Sequence, residues 1–388
     1  MRPGAELFDQ TIYYNPGNHD HHVWETAREP QYVEIYLAHT TWSVALDAPW
    51  HMTNIFLGEH DPVPCYLLNR LLDRFEPKYD VGKQPQFLVV YPNCGVRSAD
   101  KQKCVIFSHG HYVESIYRLM TTFRTMLFPD RTEPELIWNL EAENFVWVHF
   151  FWSTMGRSGD AGTDVELVYD KLQTDAQIMK LVSNLTAGIT EQHGLPWVPQ
   201  TVEHMILTEV LNVMLDGVAS REVKQTDTCL SADAESGLRD FLQKHLLKQI
   251  QTDNAGAVPN EVTFIFGHTH KPFEAARPYA GYANGVNVLH NGGWVVDSMT
   301  PAQLQCGAVV LVDEELNTDS VRIYNEAAGD AQPHPAPHVS DVIMNPLVQQ
   351  LQTLISGSTV PRSAMTQAVF SEIPRQRINL NAKIQAQD

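Results

Sequence analysis

The chain has 388 residues, 43% hydrophobic and 19% charged, which suits a globular protein of one large domain or two ordinary ones. Its formal net charge of −19 excludes a general nucleic-acid binder, which needs a basic face to displace phosphate counterions. No apolar run reaches the roughly 18 residues of a membrane span, and the five cysteines form no Cys-x-x-Cys pair, so reduced thiols and a cytoplasmic location are expected.

In chain order, residues 11–14 form a short β-rich run that leads into Asn15-Pro-Gly-Asn-His-Asp20. Residues 66–75 place Leu67, Leu68, Leu71, Leu72 and Phe75 at helical spacing. Residues 104–107 read as a strand running into Ser108-His-Gly-His111. From residue 113 to 251 the pattern is almost wholly helical, with Leu167, Leu172, Ile178, Leu181 and Leu185 marking one long helix. Glycine and proline interrupt that block at residues 156–162 and 194–199. Its aromatic residues Trp138, Phe145, Trp147, Phe150, Phe151 and Trp152 are expected to pack as core.

Residues 262–266 predict a strand ending in Gly267-His-Thr-His270, and residues 287–289 one ending in His290-Asn-Gly-Gly-Trp294. Two more strands are predicted at 308–312 and 320–324 around a turn at 313–319. After Gly329 come Pro333, Pro335 and Pro337, then an amphipathic helix at 342–355 and a polar end expected to be loose. Strands that stop at polar, glycine-bearing loops suit an α/β fold with its sites beyond the strand ends. The expected division is a core of residues 1–111 and 259–328, a helical insertion or cap over 112–258, and a tail over 329–388.

Three motifs carry chemistry: Gly17-Asn18-His19-Asp20, His109-Gly110-His111 and Gly267-His268-Thr269-His270. Imidazole nitrogen and amide oxygen suit borderline divalent ions such as Mn, Fe and Zn. In an extended segment His268 and His270, at i and i+2, project from the same side and could address one ion or two neighbours. The glycine in each motif lets the backbone turn sharply and approach a ligand closely.

This succession, followed by Asn291-Gly-Gly-Trp294, resembles the later signature blocks of the calcineurin-like metallophosphoesterases, over residues 12–20, 88–111 and 262–324. The resemblance implies an α/β fold of the αββα sandwich type and metal-dependent hydrolysis of a small phosphate mono- or diester on two divalent ions. Matched residue by residue, it makes Asn18, His109 and His268 ligands of one ion and His270 a ligand of the other. His19 would steady the phosphate and protonate the leaving oxygen, and Asp20 would support these groups from behind. His111 is a further candidate to reach the site, whereas His21 and His22 are expected to be solvated loop residues.

The family pattern opens with Asp-x-His and then Gly-Asp, whose Asp bridges both metals. Only 16 residues precede Gly17, and they contain Asp9 but no histidine, while Gly159-Asp160 falls inside the helical block. The chain is therefore expected either to lack the N-terminal strands of the sandwich or to be a degenerate relative, a binding or scaffold module. Alone, it is expected to hold at most one metal.

Overall fold

The structure, a computed structural model, describes residues 10–38, 52–59, 63–74, 84–154, 228–296, 306–328, 332–334, 345–357 and 360–385, with isolated positions between them. Asp9, Phe75, Gly159-Asp160, Pro335, Pro337 and the helix expected across residues 167–185 lie largely or wholly outside the described residues, as do the breaks at 156–162 and 194–199.

Three of the runs that read as strands join two that the sequence did not signal (Asn93–Arg97 and Glu274–Arg277) in one mixed five-stranded sheet, ordered β4-β5-β6-β8-β7. Its centre is parallel: β5 (Lys103–Ser108) beside β6 (Glu261–Phe266), and β6 beside β8 (Val286–His290). Antiparallel β4 (Asn93–Arg97) and β7 (Glu274–Arg277) close the two edges. The parallel register aligns Ser108 with Phe266 and Phe266 with His290. Their following loops, the two histidine motifs and the Asn291 segment, consequently open side by side at one end of the sheet.

Alternation along these strands sorts the two faces. Cys104, Ile106, Phe264, Phe266 and Val288 join the main core, while Val105, Ile265 and Leu289 point the other way. The main face is covered by helices α3 (Leu119–Leu127) and α4 (Ile137–Trp147), the latter continuing as a π-helical turn (Val148–Thr154). It is also covered by α5 (Ala232–Asp240) and α6 (Leu247–Asp253), joined by a second π-helical turn (Phe241–Leu246). Ser231 starts α5 by accepting the Ala234 N–H at 3.0 Å. The described flanks of the expected insertion thus contribute Ile137, Leu140, Leu238 and Phe241 to the same core as the strands. Trp152 lies in that core and Trp138 and Trp147 pack against it, whereas Phe150 is exposed.

The opposite face meets the hairpin of β9 (Ala308–Val312) and β10 (Thr318–Arg322). Here β10 starts two residues before the expected strand, because Asp313 shortens the turn. Its carboxylate accepts from Asn317 N–H and Nδ2, each at 2.7 Å.

A smaller sheet orders β1 (Thr11–Tyr14), β3 (Gln86–Val89) and β2 (Val63–Pro64) as β1-β3-β2, with β1 parallel to β3. Helices α1 (His22–Ala38) and α2 (Tyr66–Asp73) pack beside it, with Trp24 stacked on Tyr91 at 5.6 Å. The loop after β1 is tied to the larger sheet by Asn15 Nδ2, which donates to Pro92 O at 3.0 Å. Toward the C-terminus come β11 (Asn325–Ala328), β12 (Gln332–His334), α7 (Pro346–Gly357) and α8 (Val360–Gln385). The tail helix begins later than residue 342, where Asn345 Oδ1 accepts the Leu347 N–H at 3.1 Å. Within the polar end expected to be loose, the described residues up to Gln385 are helical. No described helix is long and apolar enough to cross a membrane.

Candidate metal centre

The Gly17-Asn18-His19-Asp20 loop is shaped by what glycine omits. A Cβ on Gly17 would stand 2.5 Å from His109 Cε1 and 2.7 Å from both ring nitrogens, so only glycine lets the imidazole lie against this loop. Asn18, fully buried, then places Oδ1 2.9 Å from His109 Nε2 and donates from Nδ2 to the Tyr117 hydroxyl at 3.0 Å. Asp20 folds the loop from beneath, accepting the Gly17 N–H at 2.5 Å and the Tyr14 hydroxyl. His19 is exposed at the rim, edge-on to Trp152 with ring centroids 6.2 Å apart.

His268 lies edge-on to His109 at 5.1 Å and to Tyr117 at 4.9 Å. The extended spacing expected of His268 and His270 does not occur. β6 ends at Phe266, and both histidines are left-handed, with φ of 79° and 62°. For residues other than glycine such a backbone costs on the order of 1–3 kcal/mol and persists only where its surroundings impose it.

His290 braces the loop that carries them. Its Nε2 donates to Gly267 O at 2.7 Å and stands 3.0 Å from Thr269 Oγ1, while Nδ1 accepts the Gly292 N–H at 2.9 Å. These bonds hold a neutral imidazole, and burial drives its pKa down to about 3. Gly293 leaves space for His270, since a Cβ there would meet His270 Cβ and Cγ at 2.6 Å. No sequence signal marked His290 beyond its place at a strand end.

Burial, with the neighbouring histidines adding to it, also holds His109 and His268 well below the ordinary imidazole pKa. Both are therefore neutral near pH 7, the protonation state in which imidazole binds metals. His268 Nε2 is buried without a hydrogen bond, yet stands 3.0 Å from Glu114 Oε1. Glu114 is 8% exposed, and burial, reinforced by Asp233, pushes its carboxyl up to about 7.

Next to this group lies a second buried polar cluster centred on Glu141. Its Oε2 accepts the hydroxyls of Tyr91, at 3.1 Å, and Tyr112, and its Oε1 stands 3.2 Å from His21 Nε2. His21 is thus fully buried, not solvated, and His22 is half-buried. Ser153 accounts for this, because its Oγ accepts the His22 N–H at 3.0 Å and draws the start of α1 against the end of α4. His111 sits between the two groups, 5.6 Å from the His109 ring, with Nε2 3.4 Å from the Tyr91 hydroxyl and Nδ1 buried without a partner. Glu141→Ala would strand two buried hydroxyls and an imidazole. It should destabilise the fold by about 3 kcal/mol or more, read as a lower urea midpoint at unchanged slope.

The structure thus brings together Asn18, His109 and His268, with His19 at the rim and Asp20 beneath. His270 lies close enough to depress the pKa of His109 and His268 further. Among the described residues, the only three His, Cys, Asp or Glu groups with ligand atoms within 4.8 Å of one another are Glu133, Asp240 and His245, which no motif predicted. Arg118 and Lys244 already neutralise both of those carboxylates, so that trio is an ion-pair network joining α5 to the segment before α4. The expected ligand set is more open. Compared with protein-family models, curated proteins and solved structures, the chain matches none.

Proposed function

We propose that this chain is a metal-dependent phosphoesterase of the calcineurin-like kind, with the sandwich architecture of that family, acting on a small phosphate mono- or diester. The observation that supports this most is the meeting of Asn18 Oδ1, His109 and His268 from three separate loops. All are uncharged, and one nitrogen, His268 Nε2, is buried without a hydrogen bond. A buried ring nitrogen that makes no hydrogen bond is an unsatisfied site that a cation would satisfy. Asn18, His109 and His268 would hold a divalent ion such as Mn, Fe or Zn, and His270 would face a second ion where one is present. Such an ion supplies a water activated for attack on phosphorus and a Lewis acid for the phosphoryl oxygens. His19, exposed beside this group, delivers a proton to the leaving oxygen. All five cysteines are free thiols, which accords with a reducing, cytoplasmic setting.

The second reading, a binding module without catalysis, is favoured by the openness of the expected ligand set, in which no three His or carboxylate donors come within 4.8 Å. The test measures bound metal and hydrolysis of a bis(aryl) phosphate after loading with Mn or Zn. On the first reading, a chelator removes both metal and turnover, metal restores turnover, and His109→Ala shows neither. Stoichiometric metal without turnover would favour the binding module, and no uptake by the parent would overturn the metal site itself.

A further inference from the structure

Glu114 belongs to none of the three motifs, yet the fold delivers its carboxylate to them. It follows His109-Gly110-His111 and sits between two short 3-10 turns, His111–Val113 and Ser115–Arg118, in extended conformation (φ −102°, ψ 136°). That extended residue reverses the drift of the chain and turns the side chain inward, where it ends 3.0 Å from His268 Nε2. Asp233 fixes the segment from outside, its Oδ2 accepting from Ser115 Oγ at 3.1 Å.

Two buried groups at this distance are reconciled by a proton or by a metal cation between them, and a divalent ion can take the proton's place. Donor atoms bound at about 2.0–2.2 Å to one ion stand about 2.8–3.6 Å apart when they are neighbours on it, from octahedral to tetrahedral geometry. His268 Nε2 and Glu114 Oε1 stand at 3.0 Å, and Asn18 Oδ1 and His109 Nε2 at 2.9 Å. Asn18, His109 and His268 are all uncharged donors, so a divalent ion held by them alone would keep its full charge in a buried site. A carboxylate offsets it.

We propose that Glu114 is the anionic ligand of the metal held by Asn18, His109 and His268. It would be a carboxylate supplied from the segment after β5, where the family pattern takes one from an earlier strand. This rests on the metal reading given above. His109, His268 and Glu114 do not lie within 4.8 Å as a trio, so binding draws the Glu114–His268 pair toward the Asn18–His109 pair.

Cobalt(II) tests this, because its visible absorption reports the donor set directly. The full chain, Glu114→Gln and Glu114→Asp are titrated with cobalt, with affinity from equilibrium dialysis and folding of each metal-free form from circular dichroism. The parent is expected to bind with a defined band. Glu114→Gln should lose about 10–100-fold or more in affinity and show a changed band, while Glu114→Asp keeps a carboxylate-type band at intermediate affinity. Equal affinity and an identical band in the Gln variant would overturn the assignment, and so would lost affinity with an identical band, which would place Glu114 behind His268 and off the metal. If the Gln variant does not fold, Glu114→Asp decides alone: an unchanged band and affinity overturn the proposal. A parent that takes up no cobalt overturns the metal reading itself, so the two failures are told apart.

Discussion

Replacing His19 with alanine should leave metal uptake intact and slow hydrolysis of an alkyl phosphate ester by about 10²–10⁴-fold, the span a positioned general acid contributes. The geometry separates the two effects. His19 is exposed and edge-on to Trp152, whereas its neighbour Asn18 is fully buried with Oδ1 on His109. The metal side of the loop is fixed by the Gly17 contact with His109 and by the Asp20 bonds, none of which involves the His19 side chain. Alanine at 19 therefore removes a proton donor and leaves the frame standing. The loss should shrink for esters whose leaving group needs no proton, such as nitrophenolate. Equal rates of alkyl-ester hydrolysis in parent and variant would rule out the acid role, and loss of metal would make His19 a ligand.

Acid should unfold the metal-free protein between about pH 6.5 and 4. Burial, the largest cause in each case, holds His245 down to about 4 and His290 to about 3, and holds His109, His111 and His268 well below the ordinary value of 6.5. As pH falls below about 6.5 the unfolded chain takes up protons that these folded sites refuse, so stability falls with pH until the folded groups titrate. Each excluded proton contributes about 1.4 kcal/mol per pH unit, and total stability is commonly about 5–15 kcal/mol. Glu114 has the opposite sign. Its raised pKa of about 7 means that the folded state holds a proton the unfolded chain has released, which offsets one histidine between about pH 7 and 4.5. Urea midpoints across this range measure the balance. A flat profile would mean that these imidazoles accept protons in the folded state.

The frame of the site was legible in the sequence because it depends on local patterns. Alternating β-branched and aromatic runs located β1, β5, β6, β8 and β9 to within a residue or so at each end, and the glycines marked where strands break. Parallel register then aligned the motif-bearing ends of β5 and β6, so two motifs spaced far apart in sequence became neighbours. The residues that hold or charge the site were not legible. Glu114 and Glu141 reach the histidines only because 3-10 turns and α4 fold back onto the strand ends, and a lone glutamate in a helical stretch carries no periodic signal. His21 reads as part of a polar loop, and only its contact with Glu141 and the end of α4 makes it interior. The left-handed backbone at His268 and His270 was hidden for another reason: such conformations are signalled by glycine or asparagine, and histidine does not advertise them.

That left-handed pair sets stability and chemistry against each other at the same two positions. Glycine at 268 or 270 would adopt the observed φ without strain and would relax the chain where histidine strains it. A library of this protein selected only for heat resistance should therefore drift toward glycine or asparagine there, and in gaining stability would discard the imidazoles. A population that keeps histidine at both positions under such selection must be under a second demand, one that thermal screening alone does not impose.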